Sequence, residues 1–195
     1  MFGFIKRLKY NRRMIKEMKE SSNEWLRDEE RFKKLKREEF PLVEDSKLLQ
    51  AAIAWVYEKT RAVEPSRHLE ILSTLPKPCQ NIIAVNAVDG EVNNGGFNQY
   101  YFNESHILTV SASEALLAIS APKLAEIAKK ADLLYSQIKD QLSSIEENTL
   151  EEFFDSYEDN PLNELDDEYC NTLEIEPIDE LLVGYIKTNI GCFGD

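Results

Sequence analysis

Glu91-Val92-Asn93-Asn94-Gly95-Gly96-Phe97-Asn98-Gln99-Tyr100-Tyr101-Phe102-Asn103 sets paired amides, paired glycines and an aromatic cluster in thirteen consecutive positions. Glycine and asparagine accept the left-handed backbone that closes off a helix, so Asn93 to Gly96 predicts a helix stop. Upstream, Ile82, Val85, Val88 and Val92 recur at helical spacing and describe one buried stripe of the helix that the glycines end. Downstream, Phe97, Tyr100 and Tyr101 fall at i, i+3 and i+4, which predicts a second short helix laying its aromatic face on the first. The amides of Asn93, Asn94, Asn98, Gln99 and Asn103 are then placed to bond backbone groups left open at the two helix ends.

The helical pattern extends on both sides of this stretch. Leu48, Leu49, Ala52, Trp55 and Val56 form a core stripe after a cap at Asp45 or Ser46. Ser111-Ala-Ser-Glu114 reads as a capping box, and Ser120-Ala-Pro122 starts a further helix with its proline in the first turn. Leu124, Ile127, Ala131, Leu134 and Ile138 continue that helix's buried stripe, with Glu126 and Lys130 paired outside. The expected fold is all-α, a single multi-helix domain over residues 46–195 preceded by a helical extension over residues 1–41.

On the Glu91–Asn103 motif the chain resembles a bacterial domain-of-unknown-function family whose best-known member is an all-helical DNA-mimic protein. Leu165-Asp-Asp-Glu-Tyr169 and Leu181-Leu-Val-Gly-Tyr-Ile186 are similar to that family's closing segment, so the resemblance runs from about Lys47 onward. It implies an all-helical fold, and it implies function less directly, because activities are grafted onto folds and vary within them. The motif residues Glu91, Asn93, Asn94, Gly95, Gly96, Phe97, Gln99 and Tyr101 are the candidates for a structural hinge or a ligand pocket.

Composition narrows the setting. A chain of 195 residues is long enough for one domain with a real core and short for two. Cys79, Cys170 and Cys192 are odd in number and widely spaced, giving neither a disulfide framework nor a metal-binding pair. The opening Met1-Phe-Gly-Phe-Ile-Lys-Arg meets charge too early for a secretory segment, and no later apolar run approaches membrane-spanning length. The expected location is the cytoplasm.

Charge is divided sharply along the chain. Residues 1–40 hold thirteen Lys or Arg against eight Asp or Glu, while the remainder holds ten against twenty-eight. Asp140 to Glu180 contains sixteen carboxylates and no Lys or Arg. A solvated face ordinarily interleaves both signs to limit self-repulsion. This one-signed run instead repels nucleic acid and attracts cationic protein. On a wheel at about 100° per residue, with Glu147 at the origin, Glu151, Glu152, Asp155, Glu158 and Asp159 fall within roughly 140°. Leu150, Phe153, Phe154 and Tyr157 fall opposite. Asn160-Pro161 closes that helix. In the next, Leu162, Leu165, Tyr169 and Leu173 face inward and Glu164, Asp167 and Glu168 outward. Glu176-Pro177 opens a last helix, buried through Ile178, Leu181, Leu182, Tyr185 and Ile186. The expected partner-binding face is Glu147, Glu151, Asp155, Glu158, Asp159, Glu164, Asp167 and Glu168. The expected partner is a basic, nucleic-acid-binding protein, with no nucleic acid or membrane bound directly.

The basic start carries Phe4, Leu8, Asn11, Ile15, Met18, Ser22, Trp25, Glu29 and Phe32 at alternating spacings of four and three, an imperfect apolar seam. Three readings of it are open: packing across its own domain, self-association into a homodimer, and adhesion to an anionic membrane surface. Phe40-Pro41 ends the segment, since the residue before proline avoids helical geometry.

No reaction announces itself. Asp89, Glu91 and Asn93 match the first ligands of a calcium loop, but Asn94 stands where glycine is needed and Tyr100 where the closing Glu belongs. His68 and His106 have no nucleophile or ligand arranged near them in sequence. The expected function is therefore a non-enzymatic acidic interaction protein without catalytic residue, metal or cofactor. The alternative is a small polar ligand site or an unrecognised catalytic site on the Asn/Tyr cluster of residues 93–103.

Overall fold

In a computed structural model, the structure describes residues 21–61, 67–103, 105–108, 110–142 and 161–195, with backbone only for 138–142. The elements follow from the apolar stripes. Helix α1 is described over residues 21–32, and a 3-10 turn over Phe40–Leu42 leads to α2, Asp45–Thr60. Then come α3 at His68–Thr74, α4 at Lys77–Phe102 and α5 at Ala112–Ala118. The last three are α6 at Pro122–Leu142, α7 at Asn163–Thr172 and α8 at Ile178–Thr188. The fold is all-α: the described residues contain no strand, and no helix among them is long and apolar enough to cross a membrane.

Helix α4 is the axis of the packing. Its stripe of Ile82, Val85, Val88 and Val92 is buried, and α2, α3, α5, α7 and α8 all pack against it. Helix α5 begins where Ser111 Oγ accepts the Glu114 N–H at 3.2 Å, the cap expected from the sequence. It ends on Ser120, whose φ of 70° is left-handed. There the Ala121 N–H reaches Leu116 O and the Ser120 N–H reaches Leu117 O, a Schellman closure with serine in the usual glycine position. Pro122 then opens α6, and Lys130 pairs with Glu126 at 3.4 Å.

The packing crosses the boundary expected at Pro41. Phe32, Leu35 and Phe40 are buried in the same core as α2 and α4. Phe40 lies 6.3 Å from Trp55 and 5.7 Å from Phe193 between ring centroids, so three aromatic rings from distant parts of the chain share one layer. The chain's last residues lie over the 32–40 segment, with Gly194 (φ +88°) against the Lys36–Arg37 backbone and the Arg37 N–H donating to Asp195 O. Proline here starts a 3-10 turn that buries Phe40 and does not detach it. Helix α1 is held to α2 by Lys47, which pairs with Glu24 at 3.0 Å and Asp28 at 2.5 Å. Residues 1–20, with most of the basic seam, lie outside the described residues.

Candidate functional site

The motif turns out to be a break inside one long helix. Through Asn94 the backbone is helical; Gly95 then takes φ −160° and Gly96 takes φ +73° with ψ −177°, after which the helix resumes. Gly96 occupies the region that side chains other than hydrogen rarely reach, and it packs against the Asp166 carboxylate, leaving no room for a Cβ. The resumed helix exposes fresh N–H groups at its start. Phe97 N donates one of them to Asp166 Oδ1 at 2.7 Å, so α7 supplies the cap for the second half of α4.

Several of the amides expected at open helix ends bond carboxylates instead. Gln99 Nε2 and Asn103 Nδ2 donate to Glu91 Oε2 at 2.6 and 2.9 Å, and Ser105 Oγ donates to Glu91 Oε1 at 2.9 Å. Asn93 Nδ2 donates to the Asp89 carbonyl and carboxylate, each at 2.8 Å, and Asn98 Nδ2 donates to Asn163 Oδ1 at 3.3 Å. Glu91 thus latches the two sides of the break together. Desolvation raises its pKa, and the hydrogen bonds from Gln99, Ser105 and Asn103 more than reverse this, holding it below the ordinary carboxylate value.

Behind the break lies an aromatic cluster. Phe97, Tyr100 and Tyr101 are buried as the spacing predicted. Phe97 meets the Tyr169 ring edge-on at 5.7 Å, and Tyr101 stacks on Tyr135 at 4.0 Å. The His106 ring sits among Tyr100, Tyr101 and Tyr135. Burial pushes the Tyr101 and Tyr169 phenols far above their ordinary range, so both remain hydrogen-bond donors, to Asp132 at 2.8 Å and Asp89 at 3.4 Å. Burial also raises Asp89, Asp132 and Asp166. These donor–acceptor pairs point inward and cross-link helices. No group of three or more His, Cys, Asp or Glu among the described residues is arranged to hold a metal ion.

The acidic residues divide into two populations. Glu164, Asp167 and Glu168 stand exposed on α7, with Glu168 3.4 Å from Lys130. Asp166 and Glu176, from the same one-signed run, are structural. The buried Glu176 accepts the Lys123 and Leu124 N–H groups at 3.0 Å each and so caps α6. Sequence spacing held a signal for Asp166, which falls four residues after Leu162 and three before Tyr169 on the buried side of α7. Glu176 had none, because its role depends on where α6 starts in space. Glu147, Glu151, Asp155, Glu158 and Asp159 lie outside the described residues.

A family model described as DMP19-like protein matches residues 73–189, more than half of the chain, including the whole motif and the helices that grip it. No curated protein matches the chain, and no solved structure matches it.

Proposed function

The chain belongs to the DMP19-like family, and we propose that it is a non-enzymatic acidic interaction protein that occupies the nucleic-acid-binding surface of a basic protein. The supporting observation is how α7 sorts its acids: Asp166 turns into the break of α4, while Glu164, Asp167 and Glu168 remain exposed. The exposed charge extends a run that continues in sequence through Glu147, Glu151, Asp155, Glu158 and Asp159. Carboxylates at i, i+4 on one helix rise about 6 Å per step, whereas phosphates advance about 3.4 Å along one DNA strand. One row of acids is therefore sparser than DNA. The sequence pattern of residues 147–159 predicts a second row, and two such rows together would approach the density a DNA-binding surface expects. Each exposed ion pair is worth about 1 kcal/mol or less, so affinity comes from many contacts and from electrostatic steering.

The test uses the full chain immobilised and exposed to cell extract at low and high salt, with duplex DNA as competitor. The expected result is capture of basic nucleic-acid-binding proteins at low salt, their release by salt or by excess DNA, and loss of capture when Glu151, Asp155 and Asp159 become Gln or Asn. Capture that ignores DNA, or that survives the triple substitution together with Glu164→Gln and Asp167→Asn, returns these acids to the role of a solvated surface.

A further inference from the structure

A groove of about 1060 Å³ runs between α1, α2 and α8, with Asn86 of α4 also lining it. Trp25 and Tyr57, 52% and 43% exposed, line it, and Leu49, Ile53 and Val183 give it an apolar wall. Its edge is acidic. Glu29, Asp45, Asp179 and Glu180 all line it; Lys33 pairs with Glu29 and Lys187 with Asp45, while no cation among the described residues pairs with Asp179 or Glu180. An exposed apolar trough with an acidic edge fits a helix that is apolar on one side and basic on the other.

Such a segment lies next to the groove in sequence. Residues 1–20 hold seven Lys or Arg against two Glu, and Phe4, Leu8, Ile15 and Met18 lie on the seam that continues into Trp25 and Glu29. As a helix, twenty residues span about 30 Å. The chain's own segment is poorly connected for this role. It joins α1 at Ser21, only four residues ahead of Trp25, and residues 21–32 are uninterrupted helix, so the described part of the chain offers no turn that would lead it back over this groove. A second copy meets no such obstacle. Two chains related by a two-fold axis bring each segment to the other's groove, burying Trp25 and Tyr57 twice over. We infer that this groove is a homodimer interface whose occupant is residues 1–20 of a second copy, held by apolar contact and by Arg12, Arg13, Lys16 and Lys19 against Asp179 and Glu180.

The experiment measures mass by light scattering on full-length chains over a concentration series. Wild type should run at twice the 22.5 kDa chain mass. The variants Arg12→Glu/Arg13→Glu and Asp179→Lys/Glu180→Lys should each weaken the dimer about tenfold or more, through like charges across the interface, with helical circular dichroism unchanged. Mixing the two should restore the dimer, since both exchanged contacts are then complementary. A wild-type monomer at all concentrations overturns the proposal. So do two variants that remain dimeric, or a mixture that fails to re-associate. A monomer that sediments with phosphatidylglycerol vesicles and loses this with Arg12→Glu/Arg13→Glu assigns the segment to membranes instead.

Discussion

Asp166 accepts the Phe97 N–H at 2.7 Å across 69 positions of sequence, and its carboxylate fills the space that a Cβ on Gly96 would need. Cap and glycine therefore form one device: the left-handed residue lets the helix break, and the carboxylate lets it start again. Gly96→Ala should cost about 1–3 kcal/mol, from the strained backbone and displacement of Asp166. Gly95→Ala should cost less, because Gly95 has extended backbone and its neighbour is the flexible end of Gln99. Asp166→Ala should cost about 1–2 kcal/mol through the lost cap, while Asp166→Asn keeps an acceptor and should be nearly neutral. Urea unfolding of the four variants checks the order, and equal losses at Gly95 and Gly96 would break the argument.

The buried acids set the direction of the pH response. Asp89, Asp132 and Asp166 have folded-state pKa values raised above the ordinary 3.8, chiefly by burial. The folded chain thus holds protons where the unfolded chain has released them, so these groups stabilise the fold increasingly as pH falls through the raised values, in full below 3.8. Glu91 acts oppositely. Its lowered pKa gives stability that is present above the ordinary 4.5 and lost as pH falls through the folded value. Urea midpoints should rise as pH is lowered from neutral toward the ordinary carboxylate range, and Asp166→Asn should flatten that rise. A midpoint that falls over this range would show that these carboxylates are better solvated than their surroundings indicate.

Removing residues 1–45 should unfold the domain. Phe32, Leu35 and Phe40 are each at most 2% exposed, and burial of such side chains is worth about 1.5–3 kcal/mol apiece. Their sum is comparable to a whole domain's net stability of about 5–15 kcal/mol. A chain beginning near Ser46 should show no cooperative transition, and one beginning near Ser21 should retain it. Cooperative melting of the shorter chain, followed by circular dichroism, would restore the boundary at Pro41.

The sequence was most legible where one side chain's role is set by its neighbours along one helix. The stripe Ile82 to Val92, the aromatic face of Phe97, Tyr100 and Tyr101, the Ser111 cap and the outward Glu164, Asp167 and Glu168 are all local periodicities, and all appear in the fold. What it concealed is tertiary. Asp166 and Glu176 looked like members of a charge run because their partners, the N–H groups of Phe97, Lys123 and Leu124, are brought to them only by folding. The 32–40 segment read as the end of an extension because the basic charge and seam of residues 1–40 and the Phe40-Pro41 stop set it apart, although its three apolar side chains are buried in the core.

The layer formed by Phe40, Trp55 and Phe193 also fixes an order of events. A growing chain exposes Phe40 and Trp55 early and receives the ring that covers them only when Phe193 is made, after every helix between has been synthesised. Closing so wide a loop adds little to the thermodynamic cost, which grows with the logarithm of its length, but long-range closure slows folding. The aromatic pair at the front of the domain therefore lacks its Phe193 contact throughout synthesis and gains it only when the 193–195 segment folds back over residues 36–40.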